Sequence, residues 1–445
     1  MGGVMERMHI EGTGKGLLRD ANDILLVMAL MTLPVDGTRF GVTMPYWTPI
    51  APIFFVLYVV CNPVLLLRSA RRYLGFFLFL PALAAVSVFG WTTIGFHRAY
   101  VLQTMFALAS GLACLSSLDI AFRLKRLDWH KAITLVVVVY WIAFAVGVVQ
   151  WLDSRYDIDA VTRLFQNIME RNYVPRKPQF LFAEPSYIGM HVFGILLPLF
   201  WLTRRKSLAV LVLVYALGSA VMGVGVRILI DALVALLLWS IIEIHWTSVC
   251  NVLLTIVGFG TVGTGGTLLL LHNERVQSMM QHGVLQGDFS MLARIFRSLA
   301  PMIAGLKDPL HLIFGFGMGN VKSAMLRGYG DAFSMIAAHG GNPAGNGEIG
   351  LIANTDNPTY YFTMNAYVSF NVEFGLAMFG VFAVLLLSHI TTHHAWSKMT
   401  VCWLLMLVYL YIQFEGYAFY ALWLFIWVTG QGRKVSAPSV PRHAR

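Results

Sequence analysis

Long apolar runs separated by short polar and basic segments extend from residue 22 to residue 430. A helix needs roughly 20 mostly apolar residues to cross the hydrocarbon core of a bilayer. On this criterion the sequence predicts twelve spans, near residues 22–36, 46–67, 73–92, 99–118, 132–152, 187–203, 207–223, 226–244, 248–271, 366–388, 399–415 and 417–430. We therefore predict an all-α polytopic membrane protein in which residues 1–445 form a single membrane domain.

The predicted spans are not equally well defined. The first and the last are short, and only Gly223-Val224-Gly225 divides the apolar stretch 207–244. That stretch could therefore also be one broken unit.

The composition agrees with a membrane protein and argues against a soluble one. Apolar residues make up 58% of the chain and charged residues 12%, which is about half the charged fraction of a typical soluble domain. The net charge of +10 is concentrated in clusters between the apolar runs, a pattern that fits a membrane surface better than nucleic acid. The four cysteines show neither disulfide nor metal-ligand spacing, which favours a role as small apolar filler.

The basic clusters also give the predicted spans a direction, because Lys and Arg collect on the cytoplasmic side. Clusters follow the second, fourth and sixth spans, and both termini are basic; the cluster residues are Arg68, Arg71, Arg72, Arg123, Lys125, Arg126, Lys131, Arg204, Arg205 and Lys206. With twelve spans, all of them fall on one face. This places both termini in the cytoplasm.

Two long loops then lie on the outer side, at residues 153–186 and 272–365. Loops of this length are usually either functional or disordered. Within the second loop, the segment Met291–Leu306 places apolar residues at helical spacing, with Arg294 and Arg297 among them. We therefore expect a large helical loop whose helices lie on the membrane surface or over a cavity.

Charged residues near the bilayer are costly and tend to mark function. Arg227 and Asp231 lie four residues apart, hence on one helix face, at the outer surface. They form either a paired interfacial charge or a guanidinium that faces a phosphate. Glu184 precedes Pro185 at the start of a span, where it either caps the helix or lies at the rim of an outward-facing cavity.

Other polar residues are weaker candidates. Three potential acid–base groups lie in the large loop, where an exposed loop residue is the simpler interpretation for each: His339, Glu348 and Asp356. Glu373 and Glu415 are expected to join a polar network inside the bundle. The glycine-rich segment 315–320 predicts a flexible turn, with an anion-binding turn as the alternative.

At these positions the sequence resembles a known group, the O-antigen polymerase and ligase superfamily. Phe182-Ala183-Glu184-Pro185-Ser186, followed by Gly189, is similar to the Phe-x-Glu-Pro-Ser motif of bacterial polysaccharide repeat-unit polymerases. Arg176 matches a basic residue upstream of that motif. Arg227 matches the arginine at the outer end of the following helix pair, although Val226 stands where a serine is usual.

The large loop carries further, less specific matches. Arg294 and Gly305 reproduce an Arg-x10-Gly spacing, and Pro309–Gly319 resembles Asn-Pro-x-x-Gly-x-Gly-x-Gly, with Asp308 for Asn and two extra residues. Asn365–Gly375 resembles His-Asn-x-x-Leu…Glu-x-Gly. Met364 replaces the histidine that the ligases use, which favours a polymerase. The resemblance covers roughly residues 170–380.

The resemblance implies a GT-C-like, metal-independent membrane glycosyltransferase of the bacterial inner membrane that needs no cofactor, with the two long loops in the periplasm. It would polymerise undecaprenyl-pyrophosphate-linked repeat units of O-antigen, capsule or exopolysaccharide. Both donor and acceptor would be lipid-linked glycans, and a chain-length regulator would be a further partner. The alternatives are a ligase of the same superfamily and a flippase or other transporter. Transporters tend to show internal repeats, and the single large loop breaks any such symmetry.

The chemistry of this transfer assigns roles to the candidate residues. The leaving lipid pyrophosphate gains negative charge, which pre-placed arginines stabilise without a metal. The candidates that bind it are Arg176, Arg227, Arg294 and Arg297. The acceptor hydroxyl must lose a proton to a group within hydrogen-bond reach. Glu184 is the first candidate for that base and His339 the second.

Overall fold

The structure is a computed structural model that describes residues 16–44, 47–170, 173, 178–244, 249–354 and 361–432. The helices before the large loop are α1 (Asp23–Met31), α2 (Ala51–Val60), α3 (Pro63–Arg72), α4 (Leu74–Thr93), α5 (Arg98–Leu118), α6 (Trp129–Tyr156), α7 (Asp159–Ile168), α8 (Tyr187–Thr203), α9 (Lys206–Val221), α10 (Val226–Glu243) and α11 (Val249–Leu271). The described part of the chain is thus helical, and its β-structure consists of isolated β-bridges between single residues.

The large loop is itself helical, as the spacing of its apolar residues predicts. It contains α12 (Glu274–His282), α13 (Val284–Gly287), α14 (Phe289–Lys307), α15 (Pro309–Phe314), α16 (Val321–Arg327), α17 (Tyr329–Ala338) and α18 (Gly347–Asn354). These helices share a buried core in which Leu292, Phe296 and Ala300 of α14 pack with Ile336 of α17, and which Val368 and Val372, further along the chain, also join. The chain then ends with α19 (Ala366–Thr392), α20 (Lys398–Tyr411) and α21 (Tyr420–Gly430).

Six described helices are long and apolar enough to cross a membrane, judged by length and composition: Leu74–Thr93, Arg98–Leu124, Trp129–Tyr156, Val249–Leu268, Phe289–Lys307 and Ala366–Thr392. The bent pair α2–α3 would make a seventh. Four shorter apolar helices are α8, α9, α20 and α21. This architecture is that of a polytopic membrane protein, while the count of twelve spans stays a prediction.

Two predicted spans differ from the helices that the structure contains. The run 46–67 is not one helix, because α2 and α3 meet at an angle of 102°. Pro63 begins α3, and proline lacks the N–H that would continue the preceding helix. The run 22–36 forms only the nine-residue α1, which is about 13 Å long and too short to span a bilayer by itself.

The α19 helix is also interrupted, at Gly375, where φ is 77°. The break frees backbone carbonyls of the preceding turn, and the loop at residues 315–320 satisfies them. The amide of Phe316 donates to the carbonyl of Val372 (2.7 Å), and the amide of Gly317 donates to that of Glu373 (3.0 Å). Irregular backbone is tolerated inside a bundle when it is paired in this way.

The segment 315–320 is therefore an ordered, packed loop and not the flexible turn that its glycines predict. The Gly319 amide donates to Oε1 of Glu373 (2.7 Å), which is a carboxylate of the protein and not a bound anion. Thr104 also donates to Oε1 (3.0 Å), and Tyr417 donates to Oε2 (2.9 Å). The expected polar network around Glu373 is confirmed, and the anion beside this turn is one of the protein's own side chains.

Replacing Gly375 with Ala is expected to destabilise the fold. A Cβ at this position would lie 2.1 Å from the carbonyl oxygen of Ile313, and a positive φ costs an L-residue about 1–2 kcal/mol in addition. We expect a lower thermal unfolding midpoint of the purified protein in detergent. Gly380→Ala is the matched control, because Gly380 lies on the same helix with open space around it. Equal midpoints for the two variants would contradict the packing described here.

Candidate functional site

The loop that carries Glu184 is held from two sides by buried polar side chains. On one side, the Gln150 side chain of α6 accepts from the amides of Gln179 (2.9 Å) and Phe180 (2.7 Å) and donates to the Phe180 carbonyl (2.7 Å). On the other side, Asp36 Oδ1 accepts from the amide of Ala183 (2.8 Å). The backbone before Glu184 is therefore fixed by contacts from distant parts of the chain.

Glu184 lies just before the helix that begins at Tyr187. Ser186, the residue at the cap position of that helix, makes no side-chain cap. Its hydroxyl donates to Glu184 Oε2 (2.7 Å). The Glu184 carboxylate is therefore held by a hydrogen bond at the start of the helix.

The electrostatic surroundings of Glu184 come from three separate parts of the chain. Burial raises the pKa of the Glu184 carboxyl, and the positive charges of Arg294 and Arg227 act in the opposite direction. Glu348, which is exposed at the start of α18, adds a smaller effect that raises the pKa. The structure thus brings Glu184 together with two of the arginines that the sequence predicts to bind pyrophosphate.

Arg227 is mostly buried at the start of α10, with its side chain 12% exposed. Its Nη1 donates to the carbonyl of Gln413 (3.1 Å), and its Nε lies 3.7 Å from Oδ2 of Asp231. Within the described residues, Nε and Nη2 have no hydrogen-bond partner. Asp231, which is fully buried, accepts a short hydrogen bond from Tyr409 (2.6 Å). The charge pair predicted from the four-residue spacing is present, yet it leaves two guanidinium donors available.

The close approach of α8 and α10 explains the glycine that follows the Glu-Pro-Ser motif. A Cβ at Gly189 would lie 2.0 Å from Oδ2 of Asp231. Any larger residue there would displace the carboxylate that pairs with Arg227. Gly189 thereby links the motif on α8 to the arginine on α10.

Arg294 extends from α14 of the large loop and is partly buried. Its Nε is a buried atom with no hydrogen-bond partner in the part of the chain that the structure describes. Buried donors of this kind are rare in native proteins and call for an explanation. Arg227 and Arg294 together contribute three buried donor nitrogens without a hydrogen bond in the described residues, and the charges of both side chains act on Glu184.

The other predicted site residues are placed differently. Arg297, on the next turn of α14, is 2% exposed, and its guanidinium carbon lies 4.2 Å from the ring centre of Phe362, so it packs against that ring. His339 is exposed, and its Nδ1 hydrogen-bonds to the Met335 carbonyl of its own helix (2.8 Å). Arg176 lies outside the described residues, as does Asp356.

Sequence reasoning missed a buried chain of three polar side chains behind the Glu184 loop. His191 Nε2 lies 2.9 Å from Oδ2 of Asp36, and the Tyr140 hydroxyl lies 2.7 Å from His191 Nδ1. All three side chains are fully buried. The available signal was the histidine itself, since an ionisable residue in the middle of an apolar run is rare.

Glu415, the second glutamate expected in a polar network, is also hydrogen-bonded. Its Oε2 accepts from the amides of Thr363 (2.6 Å) and Met364 (3.2 Å). Met364 has a positive φ of 58°. The prediction for Glu415 is confirmed, and the backbone before α19 is fixed by this carboxylate.

Comparison with known proteins finds no matching family model, no matching curated protein and no matching solved structure. The function is therefore inferred from the residues of this site and from the motifs of the sequence.

Proposed function

We propose that this protein is a metal-independent glycosyltransferase that polymerises undecaprenyl-pyrophosphate-linked repeat units at the periplasmic face of the bacterial inner membrane. The observation that carries the proposal is the cluster of Glu184, Arg227 and Arg294. A carboxylate and two arginines with unsatisfied donors are the groups that this transfer requires. Twelve spans with both termini in the cytoplasm would place the cluster on the outer side, where both long loops lie.

The unsatisfied donors are the strongest support for a phosphate ligand. A buried donor without a partner costs roughly 1–3 kcal/mol, so three of them at one place are expensive unless a ligand uses them. Pyrophosphate oxygens accept hydrogen bonds from guanidinium groups in a matching planar geometry. Arg227 and Arg294, which come from α10 and α14, would converge on the same pyrophosphate.

The reaction balances with these groups. Glu184 takes the proton of the acceptor hydroxyl, whose oxygen attacks the anomeric carbon of the donor's first sugar. The bond between that carbon and the pyrophosphate oxygen breaks, and the lipid pyrophosphate leaves with the electron pair. Arg227 and Arg294 stabilise the charge that develops on the leaving group. Glu184 then releases its proton to solvent.

The experiment that tests this function uses the purified full-length protein in detergent with lipid-linked repeat units. Longer lipid-linked glycans, seen as a ladder on a gel, would support the polymerase. Transfer of glycan only to a different lipid acceptor would indicate a ligase. Movement of unchanged lipid-linked units across liposome membranes, without elongation, would indicate a transporter. Either of the last two results would overturn the proposal.

A pH prediction follows from the position of Arg294. Its charge opposes the burial that raises the pKa of Glu184, so Arg294→Gln should raise that pKa further. A general base must be ionised, and activity therefore rises as pH increases through the pKa of Glu184. We expect the acid limb of the kcat profile to move to higher pH in Arg294→Gln.

The control for this profile is Lys307→Gln, which removes a positive charge from the far end of the same helix, where Lys307 pairs with Asp331. That variant should leave the acid limb in place. An acid limb that is unchanged in Arg294→Gln as well would exclude Glu184 as the group that titrates in the reaction.

A further inference from the structure

Three buried side chains from distant parts of the sequence form a continuous hydrogen-bonded chain behind the Glu184 loop. Asp36 follows α1, Tyr140 lies within α6, and His191 lies within α8. A carboxylate only accepts hydrogen bonds, so the 2.9 Å contact with Asp36 assigns the proton to His191 Nε2. In the neutral imidazole, His191 Nδ1 is then an acceptor, and the Tyr140 hydroxyl donates to it across 2.7 Å.

Asp36 connects this chain to the loop itself. Its second carboxylate oxygen accepts from the Ala183 amide (2.8 Å), next to Glu184 in sequence. The amides of Asp36 and Gly37 both donate to the Leu181 carbonyl (3.1 Å each). The backbones pack tightly here, since a Cβ at Gly37 would lie 2.5 Å from the Phe182 carbonyl oxygen. The carboxylate therefore sets the path of the chain immediately before Glu184.

The other end of the chain is equally well anchored. The Tyr140 carbonyl accepts from the hydroxyl of Tyr215 on α9 (2.6 Å). Tyr140 also lies on α6, the helix whose Gln150 fixes Phe180. Two contacts from one long helix thus define the loop position, one directly through Gln150 and one through His191 and Asp36. Fully satisfied buried networks of this kind make a structure rigid.

We propose that Asp36, His191 and Tyr140 are positioning residues that hold Glu184 at the distance from Arg227 and Arg294 that the transfer reaction requires. This inference rests on the proposed function. None of the three side chains touches substrate, because all are fully buried. Their effect passes through the backbone of residues 181–183. A small displacement of a catalytic group lowers kcat much more than it lowers the affinity for substrate.

The first test compares two replacements of His191 in the full-length protein. His191→Leu removes the donor to Asp36, whereas the amide nitrogen of Gln in His191→Gln can restore it. We expect His191→Leu to lower kcat about ten- to a hundredfold, with KM for the lipid-linked donor little changed. His191→Gln should recover most of the lost kcat. Equal kcat values for the two variants would overturn the proposal.

The second test uses a matched pair of tyrosines. Tyr140→Phe and Tyr58→Phe each remove one hydroxyl from a fully buried side chain, and the Tyr58 hydroxyl donates to Asp23 (3.0 Å), away from the Glu184 loop. Tyr140→Phe should lower kcat severalfold, whereas Tyr58→Phe should keep the wild-type kcat. A similar loss of kcat in both variants would contradict the positioning role of Tyr140 and would show that its hydroxyl contributes only to general stability.

Hydrogen exchange supplies a measurement that does not depend on activity. The peptide that contains residues 181–187 should exchange its amides faster in His191→Leu than in the wild type, and at the wild-type rate in His191→Gln. If the wild type does not elongate glycans, the proposed function fails, while this exchange still tests the positioning of the loop. Unchanged exchange in His191→Leu would overturn the positioning role itself.

Discussion

Arg227→Ala is expected to eliminate polymer formation while the protein still accumulates in the membrane. Removing a pre-placed donor for developing charge costs about 10²- to 10³-fold in turnover, and Arg227 offers two such donors in a mostly buried position. Arg227→Lys should restore only part of the activity, because an ammonium group lacks the planar fork of a guanidinium. Polymer length on gels and protein content of the membrane fraction measure the two effects.

This loss of activity must be separated from a second effect of Arg227→Ala, which leaves the fully buried Asp231 without its positively charged partner. The double variant Arg227→Ala/Asp231→Asn removes the stranded charge and should stay inactive. Recovered activity in the double variant would contradict the phosphate role of Arg227 and would show that it serves only as the counter-ion of Asp231. Arg163→Ala is the matched control, because Arg163 makes the same four-residue contact with Asp159 at 3.7 Å in an exposed position. It should polymerise at the wild-type rate.

The apolar runs predicted the longer helices well and their interruptions poorly. The run 132–152 corresponds to Trp129–Tyr156, and the run 366–388 corresponds to Ala366–Thr392. Hydropathy does not register the break at Gly375, because the residues on both sides remain apolar. The carbonyls freed by that break are satisfied by a loop about 55 residues earlier in the chain, and pairing over such a separation follows from tertiary packing, not from a local pattern.

Three of the predicted site residues come together in the structure. Glu184, Arg227 and Arg294 lie within electrostatic reach of one another. Arg294 and Arg297 are both predicted to bind the pyrophosphate, but residues three apart on a helix differ by about 60° in direction. That difference is enough to place Arg297 on Phe362 and to leave Arg294 near Glu184.

The buried chain of Asp36, His191 and Tyr140 shows a second feature that the sequence does not predict. Asp36 and His191 are 155 residues apart in sequence, and neither belongs to a motif with a recognisable spacing. Single polar residues in apolar runs indicate that a network exists. Only the packing of α6 and α8 shows which residues join it.

Glu184→Gln is expected to produce the second large loss, through turnover and not through donor binding. The amide keeps the shape of the side chain and can still accept from the Ser186 hydroxyl, but it cannot take a proton from the acceptor sugar. General-base catalysis contributes about 10²- to 10⁴-fold, so kcat should fall by that order while KM for the lipid-linked donor changes little. Steady-state kinetics with purified protein measure both quantities.

Ser186→Ala provides the graded comparison for Glu184→Gln. It removes a hydroxyl that donates to Glu184 Oε2 and leaves the carboxylate in place, so its loss of kcat should be much smaller. The Ser186 hydrogen bond lowers the pKa of Glu184, and its removal should move the acid limb of the profile to higher pH. A Glu184→Gln variant with near-wild-type kcat would assign the proton transfer to another group. It would leave the phosphate role of Arg227 and Arg294 intact, because the guanidinium donors act on the leaving group and not on the acceptor hydroxyl.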